Sequence, residues 1–166
     1  MPVHSAGLLL YRVTDAAAGA PVTDASAEVL IAHMGGPFWA AKDEGAWSIP
    51  KGEYDPDAEA ALDAARREFE EELGLAPPDT DFAELGTWAY SSGKRITVFV
   101  ADGARFSLDG LAFGEFELEW PPRSGRTQSF PEVDRVEWMP LADARPRLVK
   151  GQRAALDALA ERFADV

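Results

Sequence analysis

Residues 52–75, GEYDPDAEAALDAARREFEEELGL, constrain this chain more than any other stretch. Its alanine-rich middle has high helix propensity. Leu62, Ala65, Phe69 and Leu73 recur at three- and four-residue steps, so they form one apolar stripe that has to be buried. Asp55-Pro56-Asp57 predicts the helix start, with aspartate as N-cap and proline in the first turn. Gly74 predicts the stop, with Pro77 and Pro78 soon after to prevent resumption.

The other face of that helix carries charge. Glu68, Glu71 and Glu72 are related by the same steps, so they share a face. Each i,i+4 repulsion costs about a few tenths of a kcal/mol. They also lie near the C-terminal end, where the macrodipole disfavours anions. Two readings remain open on spacing alone. One is a solvated helix supported by pairs such as Arg67–Glu71. The other is a site for a hard divalent cation, which takes carboxylate oxygens, water and substrate phosphates.

Composition narrows the class. The 166 residues suffice for one domain with a sizeable core, expected to span 1–166. Apolar residues make up 46% and charged residues 27%, ordinary for a globular protein. No apolar run reaches transmembrane length, and MPVHSAGLLLYR does not read as a secretory leader. The lack of cysteine excludes disulfide and thiolate chemistry and fits a cytoplasmic protein. The net charge of -13 makes long nucleic acid a poor partner, since its backbone needs a basic footprint. A small phosphorylated substrate stays open, because a metal and a few cations can reverse the field in one cleft.

Along the chain, strands are expected at 4–13 and 28–33, with a polar turn or loop at 15–26 between them. His4 and His33 read as strand-end or packing residues, since neither has a companion at ligand spacing. Phe38 and Trp39, beside a Gly-Gly-Pro turn, either cap the core or stack on a base. A short extended piece, 47–50, leads into the charged helix. Strands follow at 82–90 and 95–101, joined by the turn 91–94. Lys94 and Arg95 there either meet substrate phosphate or form a solvated hairpin tip. Residues 113–120 alternate apolar and acidic, as a half-exposed strand does. Residues 121–132 read as a proline-bounded loop. Its Arg123 and Arg126 make it a phosphate clamp, since guanidinium pairs with phosphate through two hydrogen bonds, or a rigid excursion. A last strand at 133–139 and a helix at 152–163 close the chain.

The central stretch resembles the Nudix box, the signature of the Nudix hydrolase family. Arg67, Glu68, Phe69, Glu71, Glu72, Gly74 and Leu75 match the pattern, and Glu59 stands eight positions before Arg67, as it requires. The departure is upstream, where six residues and not five separate Gly52 from Glu59. Trp47-Ser48-Ile49-Pro50-Lys51-Gly52 is similar to the lead-in of Nudix diadenosine polyphosphate hydrolases. The longer pieces SAGLLLYR and EWPPRSG are similar to a bacterial subgroup of NTP pyrophosphohydrolases.

The resemblance implies an α/β fold, an α/β/α sandwich around a mixed sheet with a loop-helix-loop box. It implies hydrolysis of a nucleoside diphosphate linked to some moiety X, with Mg²⁺ or Mn²⁺ as cofactor. By carry-over, Glu68, Glu71 and Glu72 are metal ligands, and Lys51 supplies a backbone carbonyl and reaches phosphate with its side chain. In several members a further metal-binding glutamate sits before the last-strand tryptophan, here Trp138; Glu132 fills that place better than Glu137, which adjoins the tryptophan on a strand. Glu68 or Glu132 is the general base. Arg67, Glu59, Gly52 and Gly74 are structural. The partner is a small nucleotide, a dinucleoside polyphosphate or an NTP; many relatives are homodimers, and the sequence leaves the oligomeric state open between that and a monomer. A noncatalytic nucleotide-sensing or partner-docking domain, and removal of pyrophosphate from RNA 5′ ends, are the competing readings.

Overall fold

A ten-residue strand, β1 (His4–Val13), is the spine of a seven-stranded mixed sheet in the computed structural model, which describes residues 2–14 and 21–164. One edge of β1 serves two partners. β2 (Ala27–Met34) runs antiparallel to its C-terminal end, and β4 (Lys51–Tyr54) antiparallel to its N-terminal end. On the other edge β6 (Arg95–Asp102) lies parallel to β1, and β5 (Ala83–Ala89) closes that side antiparallel to β6. β3 (Trp47–Ser48) and β9 (Val133–Pro140) both pair with β2.

Period-two alternation on β1 divides the core between the two faces of the sheet. Ala6, Leu8 and Leu10 pack with Ala64, Ala65, Phe69 and Leu73 of α1 (Ala61–Leu73). Leu9 faces the other way, into the cluster that holds Ala155, Leu156 and Leu159 of α3 (Arg153–Ala164) and Leu141 and Ala144 of α2 (Leu141–Arg147). The result is the expected α/β/α sandwich. Among the described residues no helix is long and apolar enough to cross a membrane.

The helix ends as expected and starts late. Gly74 adopts the left-handed conformation (φ 70°) and its N–H donates to the Glu70 carbonyl, 2.8 Å. Asp55 is not the N-cap. Its side chain accepts the Asp57 N–H (2.9 Å) and its carbonyl accepts from Ala58 and Glu59, forming a separate turn. The helix begins six residues later, after Ala60, without a side-chain cap.

The stretch 121–132 is not a plain loop. Its second half is β8 (Thr127–Pro131), antiparallel to β7 (Glu115–Glu119) in a separate two-stranded sheet. The tip, 120–126, and Glu132 lie outside the strands. The alternation of β7 betrayed a strand, but the exposed TQS of β8 carries no apolar signal of its own. Helix α2 was also missed, because its seven residues contain Pro146 and follow directly on β9. Of the loop expected at 15–26, residues 15–20 lie outside the described residues.

Candidate active site

The box is built where β4 crosses the charged face of α1. Gly52 sits against Glu68, and a Cβ at this position would overlap the Glu68 carboxylate and force that side chain to shift. Arg67 is the hub. Its Nε and one terminal nitrogen donate to both oxygens of Glu59 (3.0 and 2.9 Å), a bidentate pair that ties the pre-helix turn to the helix. Its other terminal nitrogen donates to Glu68 (2.8 Å) and, at 3.4 Å, to Glu71. The Glu59 bond is the main reason the guanidinium holds its proton even more firmly than usual.

The carboxylates differ in surroundings. Glu71 is exposed, whereas Glu68 is largely covered. Glu72 reaches inward and accepts the Lys51 backbone N–H at 3.4 Å. Burial pushes its pKa up to about 8; the Lys51 charge and N–H resist this, and the charges of Glu132 and Glu68 add to it. Glu132 is also pushed up, first by burial and then by Glu68 and Glu71. It therefore stands within electrostatic reach of the box. Its carbonyl accepts the Gly35 N–H (2.9 Å) and its N–H donates to Gly114 (2.8 Å). Glu137 lines a different cleft, with Lys42, Arg135 and Arg147.

Among the described residues no three of these carboxylates already stand as a metal-ligand set. Arg67 holds Glu68 and Glu71 to itself, while Glu72 is drawn toward the Lys51 amide. The donor chemistry nonetheless fits a hard divalent cation: oxygen ligands only, with burial first and mutual repulsion second raising the pKa of two of them.

The candidate phosphate contacts divide. Lys51 is half-buried; burial lowers its pKa, with Glu72 opposing. Lys94 forms an ion pair with Glu53 at 2.8 Å, so its charge is engaged, while Arg95 beside it is exposed. Arg123, at positive φ (63°), and Arg126 occupy the exposed hairpin tip.

Two buried polar groups form networks across the fold, and of these Gln152 escaped the sequence reading. Gln152, fully buried, accepts the Ile49 N–H (2.8 Å) and donates to Ser48 Oγ (2.9 Å) and Tyr90 OH (3.0 Å). It fastens the strand segment that enters the box to the start of α3. His33, fully buried, bonds Asp134 at 2.7 Å and the Lys42 carbonyl. It is the packing residue expected. Both networks join residues about a hundred positions apart, and no local pattern announces them.

A NUDIX domain family model matches residues 13–159. The chain belongs to that family. Solved structures agree on the fold. A C. elegans Ap4A hydrolase in a binary complex has a TM-score of 0.57 at 21% identity, over 99% of both chains. The NUDIX domain of Shewanella oneidensis NrtR, complexed with ADP ribose, has 0.59 at 17% identity, over 98% of this chain and 89% of that one. A MutT protein from Methanosarcina mazei Go1 has 0.55 at 19% identity, over 99% and 94%. In sequence, 54 residues are 46% identical to an uncharacterized 17.7 kDa protein of Enterobacteria phage T4, covering 32% of this chain and 36% of that protein. The chain thus spans little more than a third of that curated relative.

Proposed function

We propose that this chain hydrolyses a pyrophosphate bond in a nucleoside diphosphate linked to X, with a dinucleoside polyphosphate or an NTP as substrate and Mg²⁺ or Mn²⁺ as cofactor. The observation that supports the reading is the acidic face of α1, where Arg67 bonds Glu68 and Glu71 and Glu72 accepts the Lys51 N–H, with Glu132 within electrostatic reach of Glu68 and Glu71. The Ap4A hydrolase and ADP-ribose complex among the fold relatives favour a small nucleotide as substrate.

In this reading Glu71 and Glu72, with the Lys51 carbonyl and whichever of Glu68 and Glu132 is not the base, would hold the metal, which would neutralise phosphate charge and orient water. Water adds to one phosphorus, the bridging P–O bond breaks, and the bridging oxygen leaves on the other phosphate. Glu68 or Glu132 takes the proton from the attacking water. Lys51, Arg95, Arg123 and Arg126 supply positive charge to the phosphates, and Lys94 does so if it exchanges Glu53 for substrate. Arg67 restrains Glu68 and Glu71, and Glu59 restrains Arg67. A noncatalytic sensing domain is disfavoured because pure recognition has little use for four repelling carboxylates.

The test is phosphate and nucleotide release from diadenosine tetraphosphate, the NTPs, oxidised dGTP, ADP-ribose and NADH, each with Mg²⁺, Mn²⁺ or EDTA. Cleavage of at least one compound, abolished by EDTA, is expected. Binding without cleavage across the panel would move the reading to a sensing domain.

A further inference from the structure

The chain changes partners just before the box. β3 pairs with β2, Ser48 opposite Ala32, and β4 pairs with β1, Lys51 opposite Gly7. Ile49 and Pro50 lie between and belong to neither strand. Proline has no N–H to satisfy, and the Pro50 carbonyl accepts the Leu8 N–H at 3.1 Å. The Ile49 N–H is left over, on a fully buried residue, where an unmet donor is costly. Backbone pairing on the α3 side reaches only as far as Trp47, whose carbonyl accepts the Val149 N–H at 2.9 Å. Gln152 continues it with a side chain: its Oε1 accepts the Ile49 N–H at 2.8 Å. Because that N–H can only donate, the amide oxygen has to face it. The amide nitrogen then donates to Ser48 Oγ (2.9 Å) and Tyr90 OH (3.0 Å). Ser48 Oγ in turn donates to the Ile49 carbonyl at 2.8 Å, so both polar groups of Ile49 are held by side chains.

We infer that Gln152 is a positioning residue for the metal site, acting through the Ile49 backbone on Lys51. This rests on the proposed reading of the Lys51 carbonyl and Glu72 as metal ligands. Three observations carry it. Only Pro50 separates Ile49 from Lys51, and its ring fixes φ, so a shift of Ile49 passes on to Lys51 with little slack. The Lys51 N–H donates to Glu72 at 3.4 Å, so the same piece of backbone also meets a ligand carboxylate. Finally, Gln152 immediately precedes α3, whose Ala155, Leu156 and Leu159 are fully buried, so the Ile49 backbone is referred to the core on the far side of the sheet from α1. Metal sites depend on such supporting partners, which orient the ligands without touching the ion.

The test is Mn²⁺ binding to the full chain without substrate, read from the electron paramagnetic resonance of the free ion, beside thermal melts in EDTA. The binding counted is that which Glu72→Gln removes. Gln152→Met keeps the length of the side chain and removes its hydrogen bonds; it should weaken Mn²⁺ binding about tenfold. Tyr90→Phe removes only the outer bond and leaves the Ile49 N–H met, so it should keep the wild-type affinity. Leu159→Ala lowers the melting temperature from within α3 without touching Ile49, and should also bind Mn²⁺ as the wild type does. This control separates positioning from mere loss of stability. If Gln152→Met does not fold, Ser48→Ala, which releases the Ile49 carbonyl, should weaken Mn²⁺ binding about threefold. Wild-type affinity in Gln152→Met, or in Ser48→Ala where it stands in, would overturn the inference, as would an equal loss in Leu159→Ala. A wild type that binds no Mn²⁺ at a Glu72-dependent site would defeat the metal reading itself, and the inference with it, so the two failures look different.

Discussion

The box and the β7–β8 hairpin sit side by side and are built on opposite principles. The box is made from a long helix and a strand of the main sheet. Its charges are restrained by Arg67, its glycine admits one carboxylate, and Phe69 anchors it in a fully buried core. The hairpin pairs only with itself. It is largely exposed and presents rings and arginines at its surface. The difference suggests a division of labour, in which groups that must be placed within tenths of an ångström stand on the sheet and those that select a ligand stand on an appendage.

That division can be broken first at the box. Glu71→Gln and Glu72→Gln should each lower turnover by orders of magnitude and leave the fold intact, since removing charge relieves repulsion. Steady-state kinetics at saturating Mg²⁺ with a thermal melt checks this, and near-normal turnover would remove these residues from the ligand set. Next comes the anchor. Phe69→Ala should cost about 3–5 kcal/mol of stability in a denaturant titration, as truncation of a buried ring does.

A smaller effect follows from Glu72, whose pKa is about 8 in the fold against an ordinary 4.5. The folded state holds that proton more tightly than the unfolded one. The resulting stability is complete below about pH 4.5 and is lost as pH rises toward 8. Glu72→Gln has no such loss. In EDTA its melting temperature should therefore gain on the wild type between about pH 5 and 8, and a constant difference would contradict the assignment. Mg²⁺ should stabilise the wild type more at pH 8 than at pH 5, because its ligands must be deprotonated. The smallest effect belongs to Lys94→Ala. Its ion pair with Glu53 is partly exposed, so its loss should change stability by at most about 1 kcal/mol in the same titration.

The same two regions differ in how well they could be read from sequence. The box was legible because its apolar stripe, glutamate face and Gly74 stop are all local patterns at helical spacing. Even there the start was misjudged, since the Asp55 side chain caps its own turn in preference to the helix. The hairpin was half legible. β7 announced itself by alternation. β8 is a strand only because β7 supplies its partner, with Glu117 opposite Ser129 and Glu119 opposite Thr127. Phe38 and Trp39 were singled out, yet nothing local says that Phe116 faces them across a cavity. The Gln152 and His33 networks depend wholly on tertiary contacts.

The most direct test of the division is kcat and KM for the best substrate of the panel, in the wild type, Glu72→Gln and Arg126→Ala, the latter on the hairpin tip. The account predicts a collapse of kcat in Glu72→Gln, and in Arg126→Ala a raised KM with kcat near the wild-type value. Undiminished kcat in Glu72→Gln, or an equal collapse in Arg126→Ala, would contradict it.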